Sequence, residues 1–419
     1  MKWRNQILAL LCLLIFIAFG FLYFQHWVVQ KPFGIVLFIG EGLTADRVAA
    51  TRAYAGGATS RLTIESLPAM ALLSNYSQDF AVPDEAAAAT ALATGAKVNN
   101  RSLGIGPNDK RLLTIIDLAR ENGRAIGVVA NGRLSDPTIA AFYASGQGDV
   151  LQQLAEKKKV DIALGGGLEN FLPEAKRGRR TDGRDLVLEM RRNGYEIVRT
   201  NAELEAIPQW RRPKLLGLFS QGEMAYANEI AAGSEQPALA DMTRRAIQLL
   251  QWNASGYLLI VDAGLMRTAA RENRGERTLA ETLELDRAVA VARSYMGKNS
   301  MILVTGNLGI GGLSLNGYPF RRDSGVGLLG INSSGEPALT WATGPNGITM
   351  PPAPPTTETP PPPGEGPVPN SVQEPAAAYA PWARNTLDDV LAAGSGQGTE
   401  SLHGFLDNTV IFKIIAEQL

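Results

Sequence analysis

The most constraining feature of the chain is a kind of strand that recurs along it. Gly34-Ile-Val-Leu-Phe-Ile-Gly40 is a continuous apolar run bounded by glycines. It lacks the polar alternation of a strand with one wet face, so it fits a strand covered on both sides. Similar runs follow at 125–130, 160–165, 214–219, 256–261, 300–305 and 338–343, with helix-patterned segments between them. Strands alternating with helices predict an α/β fold: a three-layer sandwich with a large, mostly parallel central sheet. Ligands of open α/β sheets bind beyond the C-terminal ends of the strands. Glu41, at the end of the first run, therefore stands in a functional position.

The chain has 419 residues, 45% of them hydrophobic, enough for one large domain or two smaller ones. Its 40 basic and 41 acidic residues leave no overall field that would select nucleic acid. Cys12 is the single cysteine, and His26 and His403 are the only histidines. The apolar run from Ile7 to Phe24 follows Lys2 and Arg4 and is about long enough to cross a bilayer. It ends in Phe-Leu-Tyr-Phe-Gln-His-Trp27 rather than in the small residues of a signal cleavage site, so a retained transmembrane helix is expected over residues 1–30. The leading positive charges place the N-terminus inside and the body on the extracytoplasmic side, which is periplasmic in a bacterium.

Residues 31–347 are expected to form the main domain. From 348 to 402 the composition shifts, and Pro351 to Pro369 is dominated by Pro, Thr, Glu and Gly. Such a stretch cannot bury enough apolar surface to offset its ordering entropy, so 348–402 is expected to be a flexible insertion. Residues 403–419 read as a closing amphipathic helix capped by Asp407 or Asn408. Gly165-Gly-Gly167 lacks the Lys-Ser/Thr ending of a phosphate loop and reads as a close-packed turn.

One further stretch bears on chemistry. Val82-Pro-Asp-Glu-Ala-Ala-Ala-Ala-Thr-Ala-Leu-Ala-Thr-Gly95 is a small-residue run entered through Asp84 and Glu85. It resembles the nucleophile segment of alkaline phosphatases, roughly Asp-Ser-Ala-Ala-Ser-Ala-Thr-Ala followed by Thr-Gly and Lys. Asp84, Ala86, Thr90, Ala91, Thr94, Gly95 and Lys97 match, while Glu85 stands where the family has its nucleophilic Ser. The resemblance extends through Leu37–Gly42, Leu134–Ala141, Leu164–Pro173, Thr181–Asp185, Val261–Gly264 and Gly311–Pro319, and implies the alkaline phosphatase fold.

In that family two zinc sites and one magnesium site surround the nucleophile, and an arginine binds phosphate. The resemblance places Asp136 and Thr138 at the family's Asp-x-Thr magnesium pair. Asp262 stands in place of a Glu, and Glu41 in place of the bridging Asp. These four oxygen donors form a candidate site for one Mg ion. The zinc ligands are lost. Arg267 and Arg271 fall at the Asp and His of the Asp-x-x-x-His motif, Asn307 and Leu308 at the Asp-His of Thr-Ala-Asp-His, and Ser333 at the His of His-Thr-Gly-Glu. Arginine is always charged and has no acceptor, so it cannot ligate zinc. No zinc is expected, and no Arg follows Thr138 where the family's phosphate ligand stands. Loss of zinc would strand Glu41, Asp84 and Asp262 together with Glu85. The expectation is that Arg267 and Arg271 occupy the vacated positions and pair with Glu41 and Glu85.

The reading is a membrane-anchored pseudoenzyme serving as scaffold, binding module or partner subunit. The alternative is a phosphomonoesterase using one Mg with Glu41, Glu85 and Asp136. A weaker third reading gives the proline segment the working role, recruiting a protein partner. Members of the family are often dimers, which makes a homodimer a further candidate partner.

Overall fold

The computed structural model describes residues 2–23, 33–297, 299–316, 337–347 and 374–419. A ten-stranded mixed sheet runs through the body. Its strands are β1 (Gly34–Gly40), β2 (Ala69–Ser74), β3 (Ala125–Arg133), β4 (Ile162–Gly166), β5 (Tyr195–Val198), β6 (Lys214–Leu218), β7 (Tyr257–Ala263), β8 (Ser300–Gly306), β9 (Val390–Gly396) and β10 (His403–Asp407). They are ordered β10-β2-β9-β8-β1-β7-β3-β4-β6-β5. The seven strands from β8 to β5 are mutually parallel. β9 then enters antiparallel to β8 and β2, and β10 closes the edge parallel to β2.

The apolar runs are explained by layering. Ile35, Leu37 and Ile39 of β1 join one core with the helices Glu85–Thr94, Pro137–Tyr143 and Val410–Gln418. Val36 and Phe38 join the other, with Leu239–Leu250, Leu265–Arg271 and Gly275–Tyr295. Each residue of the strand meets apolar neighbours on its own side, so nothing in it needs to be polar.

Three expectations change. The run at 338–343 is a strand, Leu339–Gly344, but it belongs to a separate three-stranded sheet with Ser314–Leu315 and Ala376–Tyr379. The insertion expected over 348–402 is too long at its C-terminal end, because Ala376–Tyr379 pairs in that small sheet and β9 lies within the central one. Pro351 to Pro369 lie outside the described residues. The expected helix over 403–419 is a strand followed by a shorter helix. His403–Asp407 pairs with β2, and Val410–Gln418 starts after Thr409 with no side-chain cap. Asp407 instead accepts hydrogen bonds from the backbone N–H and the hydroxyl of Thr409. His403 is exposed on the sheet edge.

At the N-terminus, Lys2–Tyr23 is one helix, with a mean hydropathy of 2.0 over Trp3–Phe21 and none of that window buried against the body. It is long and apolar enough to cross a membrane.

Candidate functional site

The parallel strands bring the sequence-predicted residues to their C-terminal edge. Register aligns Ile39 with Asp262 and Gly40 with Gly306, and pairs Ala130 with Asp262. Glu41 therefore emerges beside Asp262 and Asn307, and the turn after β3 carries Asp136 and Thr138 to the same end. The tight exit from β1 needs Gly42, whose φ is +84° and whose missing Cβ would lie 2.4 Å from Nη1 of Arg47. Arg47 is fully buried behind it and donates to the Glu41 carbonyl at 2.8 Å. Burial pushes its pKa down to about 10, with Asp388 opposing.

The helix Glu85–Thr94 begins at this edge. Asp84 is its N-cap, accepting from the Ala87 N–H at 2.8 Å, and Gly95 closes it in the left-handed conformation. Asp84 also accepts from the Arg101 N–H. It is thus not one of the stranded charges expected from the sequence; its oxygens are satisfied by backbone.

Both arginines turn inward from the helix Leu265–Arg271. One turn apart, they lie on the same face. Arg267 is 9% exposed; its Nη1 donates to both carboxylate oxygens of Glu41 at 3.2 and 3.3 Å, and its Nη2 to Asp136 at 2.9 Å. Arg271 donates to Glu85, to Asn385 Oδ1 at 2.9 Å and to the Ala383 carbonyl at 3.0 Å. Asn385 in turn donates to the Pro83 carbonyl, tying the segment after the proline stretch to the start of the Glu85 helix. Asn307 accepts from the Gly42 N–H at 3.2 Å and donates to the Thr138 hydroxyl at 3.3 Å. Leu308 is buried among apolar neighbours. Ser333 lies outside the described residues.

Three buried acids, Glu41, Asp136 and Asp262, thus share the field of Arg267. Burial pushes Glu41 up to about 7, against the opposing charge of Arg267 and a hydrogen bond from Thr138. Asp262 is raised well above the usual carboxylate range by burial and by Glu41, and neither of its oxygens has a hydrogen-bond partner among the described residues. Burial lowers Arg267, but the surrounding acids outweigh it and hold the guanidinium firmly charged. For Glu85, burial is the largest influence and raises the carboxyl; Arg271 and Arg267 together outweigh it, so the net shift is downward.

As a set, the four oxygens proposed for magnesium do not fit the ion. Arg267 already holds Glu41 and Asp136, and Asn307 holds the Thr138 hydroxyl. Among the described residues no three acidic, His or Cys side chains are grouped to take a metal. Asp262 keeps both of its buried oxygens uncommitted among the described residues. Above the arginines opens a cleft of about 780 Å³ bordered by Glu223, Arg271, Arg274 and Trp382. Glu223, like Asn385, is a site residue that sequence reasoning missed. It lies 3.8 Å from Arg267 and accepts from Thr268 and Arg133. No motif surrounds it that could have marked it.

A family model of alkaline phosphatase matches residues 34–419. The chain belongs to the alkaline phosphatase family. A membrane-bound alkaline phosphatase of Bombyx mori is 29% identical over 367 residues, covering 74% of this chain and 66% of that protein. The alkaline phosphatase of Escherichia coli is 29% identical over 326 residues, covering 65% of the chain and 69% of the enzyme. The chain therefore spans about two thirds of the length of these alkaline phosphatases. Thermus thermophilus alkaline phosphatase superposes with a TM-score of 0.72 at 22% identity, over 93% of this chain and 92% of that one. At that identity the superposition speaks for the fold.

Proposed function

We propose that this chain is a membrane-anchored alkaline phosphatase homologue that does not hydrolyse phosphate esters, its body acting as a scaffold, binding module or partner subunit. The observation that carries the reading is the arginine pair. The family resemblance puts Arg267 and Arg271 at positions of zinc ligands, and their guanidinium groups are aimed at the acids Glu41 and Glu85. A fixed cation can neutralise a carboxylate, but it offers no open coordination position to a leaving oxygen or an attacking water. Glu85 is committed to Arg271 where a hydroxyl nucleophile would be needed. Without zinc or a phosphate-binding arginine, charge developing in a transition state would go unstabilised.

On this reading the helix Lys2–Tyr23 is the retained anchor and the body lies on the extracytoplasmic side. One observation favours a second reading, in which a single Mg supports residual hydrolysis: the two uncommitted, buried oxygens of Asp262. When bound, such an ion would supply charge neutralisation beside Asp262 and Asp136.

The full chain, purified and supplied with Mg²⁺ or Zn²⁺, is expected to show no turnover of an aryl phosphate above the metal-only blank. Turnover that disappears in Glu85→Ala would overturn the proposal and leave the magnesium reading standing.

A further inference from the structure

The opposite edge of the sheet carries a surface that the site does not use. Gly34 aligns with Tyr257 and Ser300, Ala125 with Tyr257, and Tyr195 with Lys214, so the parallel strands all begin at this edge. The segments feeding it expose large aromatic side chains: Phe33 before β1, Trp210 before β6, Trp252 before β7 and Tyr295, at the end of the helix before β8, are 41, 71, 44 and 48% exposed. A folded body gains nothing from leaving four such rings in water.

Cations accompany them. Lys157-Lys158-Lys159 precedes β4, Arg191-Arg192 precedes β5, and Arg211, Arg212 and Lys214 surround the start of β6. The nearby acids Asp161 and Glu196 are held by Arg120 and Arg211, and Asp117 by Lys159 and Arg111, while Glu121 remains exposed. Lys158, Arg191, Arg192 and Arg212 form no ion pair among the described residues. A cavity of about 190 Å³ opens between the starts of β3, β4 and β6, lined by Arg120, Arg212 and Lys214, by Asp161, which Arg120 holds, and by Leu249 and Leu250. Cationic and aliphatic lining in one cavity suits a phosphate headgroup and its first carbons.

The chain's own course says what covers this edge. The apolar helix ends at Tyr23 and the body begins at Phe33, so the intervening residues span at most about 35 Å even if fully extended. β1 receives that link at the same edge as the aromatic and cationic residues. Aromatic rings partition to the headgroup level of a bilayer, and clustered Lys and Arg are drawn to anionic lipid within a Debye length.

We propose that the N-terminal strand edge is a bilayer-docking face for anionic phospholipid. The body rests on the membrane through Trp210, Trp252 and the adjoining arginines, and the arginine-filled site faces away from it. This inference rests on the reading of Lys2–Tyr23 as a retained anchor.

The test uses the full chain carrying Cys12→Ser, with an environment-sensitive fluorophore attached through either Trp210→Cys or Trp382→Cys, the latter beside the cleft at the opposite edge. Each is reconstituted into vesicles of phosphatidylcholine alone or mixed with phosphatidylglycerol. The label at 210 is expected to shift to the blue and be quenched by brominated lipid several-fold more than the label at 382, in the phosphatidylglycerol vesicles. Combining Arg211→Glu with Arg212→Glu is expected to abolish that difference. If the chain floats with vesicles through an alkaline wash while position 210 reports water in both lipids, docking is overturned and the anchor stands. If the chain does not survive the alkaline wash on the vesicles, the anchor is overturned and docking with it.

Discussion

Replacing Arg267 with Ala removes the one cation that Glu41, Asp136 and Asp262 share. Breaking a buried ion pair by deleting one partner costs about 3–5 kcal/mol, because the remaining charge stays in low dielectric. With an unfolding entropy of about 0.7 kcal/mol/K for roughly 350 ordered residues, that corresponds to a fall in Tm of about 4–7 °C. The size of the loss should depend on pH in a defined direction. Glu41 sits near 7 even with Arg267 present, and losing that neighbour pushes it and Asp262 higher. Between the unfolded carboxylate range and these raised folded values the folded variant binds more protons than the unfolded chain, so its stability falls as pH rises through that window. The deficit relative to the parent should be small near pH 5, where the folded acids already hold their protons, and larger at pH 8. Magnesium provides an independent check. With the guanidinium gone, Glu41 and Asp136 regain free oxygens beside those of Asp262, and an ion binding with a Kd of about 1 mM would restore about 1.4 kcal/mol at ten times that concentration. Thermal unfolding of parent and variant at pH 5 and 8, with and without Mg²⁺, measures all of this. An unchanged Tm at pH 8, or equal losses at both pH values without metal rescue, would refute the claim that Arg267 neutralises a buried acid cluster.

Two other outcomes follow from the same physics. Glu281 is buried on the helix Gly275–Tyr295, accepting from Asn131 and the Ala227 N–H, and burial pushes it up to about 8. Folded protein therefore holds a proton that the unfolded chain releases above about 4.5, and stability falls across that window by up to about 1.4 kcal/mol per pH unit; between pH 7 and 8 the Glu281→Gln variant should lose that share of the slope in denaturant titrations. Restoring a hydroxyl by Glu85→Ser should give no aryl phosphate turnover in the presence of Zn²⁺, because Arg267 and Arg271 still occupy the helix face that would have to supply ligands; turnover approaching that of an ordinary enzyme of the family would show that the arginines do not block metal.

The parallel core was legible because burial on both faces leaves an unmistakable trace: every side chain of Ile35 to Ile39 is apolar and fully buried. β9 was not, since Val390-Leu-Ala-Ala-Gly-Ser-Gly396 has few β-branched residues and follows a proline stretch that made the whole region read as spacer. β5 is only four residues long, and two of its members are partly exposed. At the site, Arg267 and Arg271 could be singled out because the family resemblance puts a charge that cannot ligate metal where it expects ligands. The role of Asp84 could not, because a carboxylate looks the same in sequence whether it caps a helix or faces an ion. Glu223 reaches the site from a loop and Asn385 from a two-residue strand paired with Gly309–Ile310, and their positions depend on packing that no local pattern encodes.

The placement of β9 has a consequence for biosynthesis. β2 has only β9 and β10 as neighbours, so Ala69–Ser74 is synthesised more than three hundred residues before either partner exists. At ordinary elongation rates that is an interval of about 15–60 s. During it, Leu73, which ends up wholly buried, has no strand beside it to hide against. A newly made chain therefore depends on whatever shields an unpaired strand until the ribosome delivers its last thirty residues, and one truncated within the proline stretch would never acquire the two strands that flank β2.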